Sequence, residues 1–331
     1  MTQVQKIRGK KVLITGGLGF IGSNLARKLI GLDCEVTIID SLDKNCGGNV
    51  YNVKDIKDSV KVKIMDINQK SKLGPFVKDK DIVFNLAGQT SHTRSMTNPD
   101  SDLKNNVYSH LSLLEACRKI NSEVKIIYTG SRSQYGRPVQ LPVDEEHAMN
   151  PTDINGINKL AAEKYHFLYG SSYGMDVCAL RLTNIYGPRH QMKTGDGFIN
   201  WFVRLAIDGS RIKIFGNGKF LRDALYVADA VDATIMCALS IKSKMQAYNV
   251  GKGKPISIRQ IAEEIIKICR KGKIDFASFP KENLKIEIGD FYSNINKIKK
   301  DIGWEPKTSF KKGIAETVEF YKKNKKHYWI K

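Results

Sequence analysis

Asn155 and Lys159 lie four residues apart in the stretch PTDINGINKLAAEKY, whose pattern predicts the beginning of a helix. Residues with this spacing share one helix face, so both side chains point toward the same neighbour. A lysine cation holds hydroxyl groups and lowers the pKa of a nearby acid. A carboxamide does not ionise in water and offers only hydrogen bonds. The pair therefore leaves open whether the protein is a catalyst and which group would exchange protons.

A glycine-rich turn predicts where a nucleotide would bind. The segment ITGGLGFIG places Gly16, Gly19 and Gly22 between the apolar run KVLIT and the helical pattern FIGSNLARKLIGL. Missing side chains let the backbone turn tightly and let a pyrophosphate approach the helix N-terminus. Asp40 ends the next apolar strand, 24 residues after Gly16, close to the roughly 20 expected. Its carboxylate would accept ribose hydroxyls and repel a 2′-phosphate, which favours NAD over NADP.

The elements around this turn predict an α/β fold. The strands EVTIID, VKVKIMD, DIVFNLAG, EVKIIYTGS and MDVCALRLTN alternate with helical segments, which is typical of a doubly wound parallel sheet of the Rossmann type. The segment PDSDLKNNVYSHLSLLEACRKI predicts a long helix with Asp100 or Ser101 near its cap. Beyond residue 185, shorter elements and two amphipathic helices predict a smaller, interleaved α/β cap. We expect residues 1–185 to form the sheet domain, with residues 222–250 returning to it, and residues 186–331 to form mainly the cap.

Composition narrows the partners of the chain. The net charge is +20, from 54 Lys and Arg against 34 Asp and Glu, but the lysines are spread along the chain without an aromatic-interleaved basic motif. We therefore expect no nucleic-acid partner, and a basic surface would equally attract a diphosphate. No apolar run reaches membrane length. The six cysteines lie far apart without CxxC, which predicts neither a metal site nor disulfides and favours a cytoplasmic location.

Six motifs resemble one known family. TGGLGFIG, NLAG, TGSRSQYG, NGINKLAAE, LRLTNIYGP and LRDALYVAD occur in the order seen in extended short-chain dehydrogenases/reductases, the NAD-dependent sugar epimerase/dehydratase family. The resemblance implies a tightly held NAD and a nucleotide-diphosphate-sugar substrate between the sheet and the cap. It implies an epimerase that works through a transient ketosugar. It also implies a homodimer formed by the long helices, for which the apolar residues Ile157, Leu160, Ala161 and Ala162 are suited.

The resemblance also implies roles for individual residues. It implies catalytic roles for Ser131 and Lys159, and substrate contacts for Asn184 and Arg222, with Arg222 near the diphosphate. The cofactor contacts that it implies are Gly16, Gly19, Phe20, Ile21, Gly22, Asp40, Asp66, Ile67, Leu86, Ala87, Gly88, Asn106 and Lys159.

The family places a catalytic tyrosine where this sequence has Asn155. Three interpretations follow. Another residue is the base: His92, in the loop AGQTSHTRS, has a pKa suited to proton exchange and would also contact substrate, and Tyr186 and Tyr135 are weaker candidates. Alternatively, Lys159, Ser131 and a water relay the proton. Finally, the protein binds NAD and a nucleotide sugar without turning it over. In each case Asn155 serves as a hydrogen-bonding group.

Two further departures bear on the reaction. Dehydratases of the family carry an Asp-Glu pair after the Ser/Thr, whereas this sequence has Arg132 and Ser133, so we expect an epimerase, with a dehydratase or oxidoreductase as the alternative. Arg132 would be either a surface residue or a contact for an anionic group. Glu287 stands where an arginine often grips the diphosphate in this family, so Lys285 or another basic residue compensates, or the sugar sits differently. Arg189 would be either an anion clamp or a turn-stabilising residue.

Overall fold

The computed structural model describes residues 6–192 and 197–329. Its strands are β1 Lys11–Thr15, β2 Glu35–Asp40, β3 Val60–Ile64, β4 Ile82–Asn85, β5 Lys125–Ser131, β6 Val177–Leu182, β7 Asn184–Tyr186, β8 Arg211–Phe215, β9 Leu221–Tyr226, β10 Gln246–Val250, β11 Pro255–Ser257 and β12 Lys273–Ala277. Its helices are α1 Phe20–Ile30, α2 Gly74–Val77, α3 His92–Thr97, α4 Pro99–Leu103, α5 Ser109–Ile120, α6 Ile154–Tyr173, α7 Phe198–Ile207, α8 Val227–Leu239, α9 Ile258–Cys269, α10 Lys281–Ile286, α11 Asn296–Ile302 and α12 Phe310–Tyr328.

Seven strands form one parallel sheet in the order β10-β6-β5-β4-β1-β2-β3. The apolar runs of the inner strands are buried on both faces because helices cover both sides of a parallel sheet, whereas the edge strand β3 is exposed beyond Val60. The strand order reverses beside β1, since β2 lies on one side of it and β4 on the other. Ligands bind at the carboxyl ends of the strands at such a point. The predicted doubly wound fold is confirmed.

The long helix after β4 differs in detail from the prediction. Its cap is Asn98, whose side chain accepts a hydrogen bond from Ser101 N at 3.2 Å, so neither Asp100 nor Ser101 caps it. Pro99 follows at the first helical position, where its missing N–H is no loss. A π-helical turn over Lys104–Tyr108 then joins α4 to α5. The wide turn lies close to the predicted site, as such turns often do.

The C-terminal elements pack directly onto the large sheet. They contain a three-stranded sheet, β11-β9-β7, and the parallel pair β12-β8. One continuous hydrophobic core includes Val12 of β1, Leu225 of β9 and Ile314 of α12. Tyr328 Oη donates to Asn52 Oδ1 at 2.6 Å and ties the end of α12 to the sheet domain. The large sheet and the C-terminal elements are therefore held together by one shared core.

Within the described residues, none of the six cysteines forms a disulfide. Within residues 6–192 and 197–329, no helix combines the length and apolarity that a membrane span requires.

Candidate functional site

A cavity of about 550 Å³ lies at the carboxyl ends of the central strands, between the sheet and the C-terminal elements. It brings together residues that are widely separated in sequence. The predicted site residues that line it are Gly16, Gly19, Phe20, Ile21, Gly22, Asp40, Asp66, Ile67, Leu86, Ala87, Gly88, His92, Ser131, Asn155, Lys159 and Asn184. Across the described part of the chain, no group of three or more His, Cys, Asp or Glu side chains could hold a metal ion.

The glycine turn leaves the space at the beginning of α1 open. Gly16 has a φ of +69°, which side chains rarely adopt. A Cβ on Gly22 would collide with the carbonyl oxygen of Gly16 and with the backbone of Gly17. Backbone N–H groups at the N-terminus of α1 therefore lie open beside the cavity, where they favour negative charge.

Asp40 is held at the edge of the same cavity by two backbone donors. Leu18 N donates to its Oδ2 at 3.0 Å and Leu42 N donates to its Oδ1 at 2.9 Å. Burial raises the pKa of the carboxyl group, while these two N–H groups act to lower it. Each oxygen keeps a further lone pair, which suits the two hydroxyls of a ribose.

Lys159 lies on the buried face of α6, and its side chain lines the cavity. Burial lowers the pKa of its ammonium to about 8, although Asp102 acts in the opposite direction. Among the described residues, none accepts a hydrogen bond from Nζ, so the donors are available to a ligand. A Cβ on Gly88 would lie 2.8 Å from Nζ, which shows how closely the lysine approaches the loop after β4.

Two histidines lie buried behind Lys159. Asn85 Nδ2 faces His110 Nδ1 at 2.8 Å and His166 Nε2 at 3.1 Å. Since Asn85 Oδ1 accepts from Thr15 Oγ1 at 2.9 Å, its Nδ2 is the donor and both ring nitrogens accept. Burial lowers the pKa of His166 to about 4 and that of His110 as well. Both rings are therefore neutral and form a buried polar cluster around Asn85.

Asn155 is 2% exposed and its amide nitrogen is fully used. Nδ2 donates to the carbonyl oxygen of Gln89 at 2.9 Å and to Asp102 Oδ2 at 3.2 Å. The other oxygen of Asp102 accepts from Asn158 Nδ2 at 2.8 Å, one turn along the same helix. The two bonds fix the orientation of the Asn155 amide, so Oδ1 is the atom left to meet a ligand.

Asn106, which the resemblance places among the cofactor contacts, supports the cavity without lining it. It is fully buried and is absent from the cavity wall formed by the described residues. Its Nδ2 donates to Asp102 Oδ1 at 3.0 Å and to the Gln89 carbonyl oxygen at 3.1 Å, and its Oδ1 accepts from Gln89 N at 3.2 Å. Asn106 thus acts from behind the wall, by fixing the backbone that Asn155 also contacts.

His92 begins α3 and reaches the cavity beside the N-terminus of α6. Its Nδ1 lies 2.8 Å from Asp153 Oδ2, and Asp153 Oδ1 caps α6 by accepting from Gly156 N at 2.7 Å. Burial acts to raise the pKa of Asp153, but the hydrogen bond from His92 and the charges nearby lower it overall. The carboxylate can only accept, so Nδ1 carries the proton of the neutral imidazole and Nε2 carries the lone pair.

Ser131, the last residue of β5, and Asn184, the first residue of β7, line the cavity. Ser131 Oγ accepts from Ser133 N at 3.2 Å within a one-turn capping box, which leaves its hydroxyl proton to be donated. Asn184 Oδ1 is buried and has no partner among the residues that the structure describes. Such an orphaned acceptor fits a bound ligand that donates to it.

Arg222 lies outside the main cavity and lines a second one of about 190 Å³. Its guanidinium donates to Glu287 Oε1 at 2.7 Å and to the carbonyl oxygen of Gly289 at 2.6 Å. Glu287, Arg132 and His92 line both cavities, so the two spaces adjoin. Glu287 stands at the position where the resemblance implies an arginine. Arg222 pairs with this carboxylate, and the pairing offsets the negative charge of Glu287.

Three weaker candidates are structural in this fold. Tyr135 Oη donates to Asn249 Oδ1 at 2.7 Å, and burial raises its pKa. Tyr186 is buried in the core beneath α12. Arg189 donates to Asn24 Oδ1 at 3.0 Å and stacks 5.1 Å from the Phe320 ring, as a turn-stabilising residue would. Within the described chain none of the three lines either cavity.

Three residues of the site, Gln89, Asp102 and Asp153, have no distinctive signature in the sequence. Asp153 follows Pro151 at a helix start and has the pattern of an ordinary N-cap, which it also is. Asp102 looks like a first-turn acid on an exposed helix, yet it is fully buried. The usable signal was the cluster of asparagines at 106, 155 and 158, because buried amides require partners.

The residues present suit a dinucleotide. The glycine turn makes room for a pyrophosphate, Asp40 offers acceptors for a ribose, and Lys159 offers donors that no described residue uses.

Comparisons with known proteins show similarity over nearly the whole chain. The chain is 31% identical over 318 residues to a UDP-glucose 4-epimerase of Mycolicibacterium smegmatis, a match that covers 94% of this chain and 98% of that protein. The fold superposes on UDP-glucose 4-epimerase of Thermotoga maritima solved with UDP-glucose (TM-score 0.87, 29% identity, 95% and 99% of the two chains). It also superposes on the UDP-glucose 4-epimerase of Thermus thermophilus solved with NAD (TM-score 0.85, 28% identity, 94% and 99%).

The family match covers most of the chain. Residues 12–251 match the NAD dependent epimerase/dehydratase family, and this range includes the glycine turn, the loop after β4 and α6. NAD is accordingly the cofactor, and the cavity described above is where these residues would hold it. The chain belongs to the NAD-dependent epimerase/dehydratase family.

Proposed function

We propose that the protein is an NAD-dependent epimerase of nucleotide-diphosphate sugars in which His92 exchanges the proton. The observation that carries this proposal is the 2.8 Å contact between His92 Nδ1 and Asp153 Oδ2 in the wall of the cofactor cavity. It leaves the lone pair of Nε2 for a substrate hydroxyl. A histidine oriented by a carboxylate is the arrangement that many enzymes use for a general base.

The neighbouring residues would divide the remaining work. When bound, NAD supplies reversible hydride exchange with a carbon of the sugar. Ser131 would donate its hydroxyl proton to the reacting oxygen. Lys159 would hold ribose hydroxyls of the cofactor. Asn155 Oδ1 would accept a hydrogen bond from a second sugar hydroxyl, and this orients the ring.

The amide network argues for His92 over Asn155 as the proton acceptor. We propose that Asn155 occupies the position of the family's tyrosine and that Asp102 and Gln89 keep it there as an acceptor. A relay through Lys159 and Ser131 would require a water to accept the proton. His92 needs no such intermediary, because its Nε2 lone pair can accept the proton directly while Nδ1 is held by Asp153.

The second cavity is suited to the nucleotide end of the substrate. Phe215 and Phe279 line it with ring centroids 5.8 Å apart, and Arg222 closes one side. Aromatic rings stack on bases and an arginine contacts phosphate oxygens. We propose that residues 1–185, with 222–250, hold NAD and that residues 186–331 contribute mainly to the sugar nucleotide site.

We also propose a homodimer through α5 and α6. Ile157 and Leu168 lie on one exposed face of α6 and Tyr108 is exposed at the start of α5, whereas Ala162 is buried in the core and cannot contribute. Exchanging Ile157 and Leu168 together for lysine should convert a dimer to a monomer in light scattering. A wild-type monomer would contradict the proposal.

The deciding experiment mixes NAD-loaded protein with a panel of nucleotide-diphosphate sugars and analyses the products by mass spectrometry and chromatography. An epimerase yields an isomer of unchanged mass. A product lighter by one water would indicate a dehydratase, and a product that differs by two hydrogens an oxidoreductase. Binding of NAD and a sugar nucleotide without any product would indicate a non-catalytic binder.

A further inference from the structure

Arg132 is a cation whose hydrogen-bonding capacity is unused. It follows Ser131 directly, is half-buried, and lines both the cofactor cavity and the adjoining second cavity. Its guanidinium carbon lies 5.3 Å from the centroid of the Phe291 ring. Across the described chain, no residue accepts a hydrogen bond from the guanidinium. Its five N–H donors are therefore free to meet a ligand that enters either cavity.

The carboxylates around Arg132 are engaged elsewhere. Glu287 accepts from Arg222. Asp153 accepts from His92 and from Gly156 N. Asp223 accepts from Lys252 N at 2.6 Å and from Ser293 N at 3.0 Å. Each acid therefore has its own partner, and Arg132 remains as the cation available at the junction of the two cavities.

The electrostatic environment fits an incoming anion. Burial, with the charge of Arg222 as a second cause, lowers the pKa of Arg132 to about 10. The side chain is still charged at neutral pH, and a neighbouring anion would favour this charged form.

We propose that Arg132 binds an oxyanion of the substrate with its guanidinium fork. The chemistry is that of two oxygens on one centre, which an arginine meets with two parallel hydrogen bonds. Two parts of a sugar nucleotide present it: the diphosphate, whose expected partner Arg222 is already paired with Glu287, and a carboxylate on the sugar. This proposal rests on the proposed function, which defines the ligand as a sugar nucleotide. It adds that Arg132 is the residue that recognises an anionic group of that ligand.

The test measures binding rather than turnover. Calorimetric titrations of the NAD-loaded protein with UDP, UDP-glucose and UDP-glucuronate would compare wild type with Arg132→Met and Arg132→Lys. UDP is replaced by CDP, GDP or dTDP and their sugars if the wild type prefers another base. The matched control is Arg137→Met, an exposed arginine that contacts the carbonyl oxygen of Glu287 but lines neither cavity.

Arg132→Met should weaken binding about 10- to 100-fold for at least one ligand, with a smaller loss in Arg132→Lys and less than about a twofold change in Arg137→Met. An equal loss for all three ligands identifies the diphosphate as the anion. A loss confined to UDP-glucuronate identifies the sugar carboxylate. Affinities within about twofold of wild type for every ligand, in a variant that still binds NAD, would overturn the proposal.

Failure of the proposed function gives a different result. If the wild type binds none of the four nucleoside diphosphates, the proposed function and the Arg132 contact both fall. If binding depends on Arg132 but no isomer forms, only the epimerase assignment falls. Retained NAD affinity and an unchanged unfolding midpoint show that Arg132→Met is folded, and Arg132→Lys provides a second reading if it is not.

Discussion

His92 and Asp153 are joined by a 2.8 Å hydrogen bond, and the same carboxylate caps the helix that carries Asn155 and Lys159. The link couples the position of the proposed base to the position of the cofactor-binding lysine. Ser95 Oγ strengthens the connection, because it donates to the His92 carbonyl oxygen at 2.7 Å and accepts from Asn155 N at 3.1 Å. The loop after β4 and the start of α6 therefore form one unit.

Asp153→Ser separates the two tasks of this carboxylate. Serine is as good an N-cap as aspartate, so the free energy of unfolding should change by less than about 1 kcal/mol. The imidazole loses the partner that sets its tautomer, so turnover should fall on the order of 10²-fold. Steady-state kinetics and urea unfolding measure the two effects. Asp153→Ser with normal turnover would show that His92 does not depend on Asp153.

Asn155→Tyr should lower both stability and turnover. The buried site is filled by an amide with two accepting partners, Gln89 and Asp102, and a phenol offers only one donor. Overpacking and an unsatisfied buried acceptor each cost about 1–3 kcal/mol. Thermal unfolding and kinetics provide the measurement, with Asn158→Ala as a control that removes a different donor from Asp102. A faster enzyme would mean that the tyrosine position is merely vacant.

The lowered pKa of Lys159 should make the free energy of unfolding depend on pH. Its pKa is about 8 in the folded protein against an ordinary 10.5. Below pH 8 the lysine is charged in both folded and unfolded chains, and the burial of that charge is destabilising. Between pH 8 and 10.5 the folded chain loses the proton first, so the free energy of unfolding rises with pH in this window.

Lys159→Met removes this contribution. Without added nucleotide, the free energy of unfolding of Lys159→Met minus that of wild type should be larger at about pH 7 than at about pH 10.5. The two differences should themselves differ by on the order of 1–3 kcal/mol. Urea unfolding at both pH values gives the difference, in which the effects of other groups cancel. Parallel pH profiles for the two proteins would contradict a lowered lysine pKa.

Asp40→Asn should weaken the preference for NAD over NADP. The substitution removes the negative charge that repels a 2′-phosphate and one acceptor for ribose, while an oxygen remains to accept from Leu18 or Leu42. The dissociation constant for NADP divided by that for NAD should fall about tenfold or more. Fluorescence titration with each dinucleotide measures it, and an unchanged ratio would remove Asp40 from cofactor selection.

Local sequence patterns predict the fold and the part of the site that would bind the cofactor. The glycine turn and Asp40 are defined by positions within one β-α-β unit, so their spacing in sequence is nearly their geometry. Asp102, Asn106 and the pairing of Arg222 with Glu287 depend on how separate elements pack together. Arg222 and Glu287 lie 65 residues apart, and no periodicity in either segment indicates that they meet.

The central claim is that His92 moves the proton during sugar oxidation. The most direct measurement is the reduced-nicotinamide absorbance after rapid mixing of NAD-loaded protein with its sugar nucleotide, for wild type and His92→Gln. We predict that the band grows on the order of 10²-fold more slowly in His92→Gln than in wild type at saturating sugar nucleotide, while both proteins bind NAD equally well. A band that grows at the wild-type rate in His92→Gln would contradict the account and assign the proton to another group.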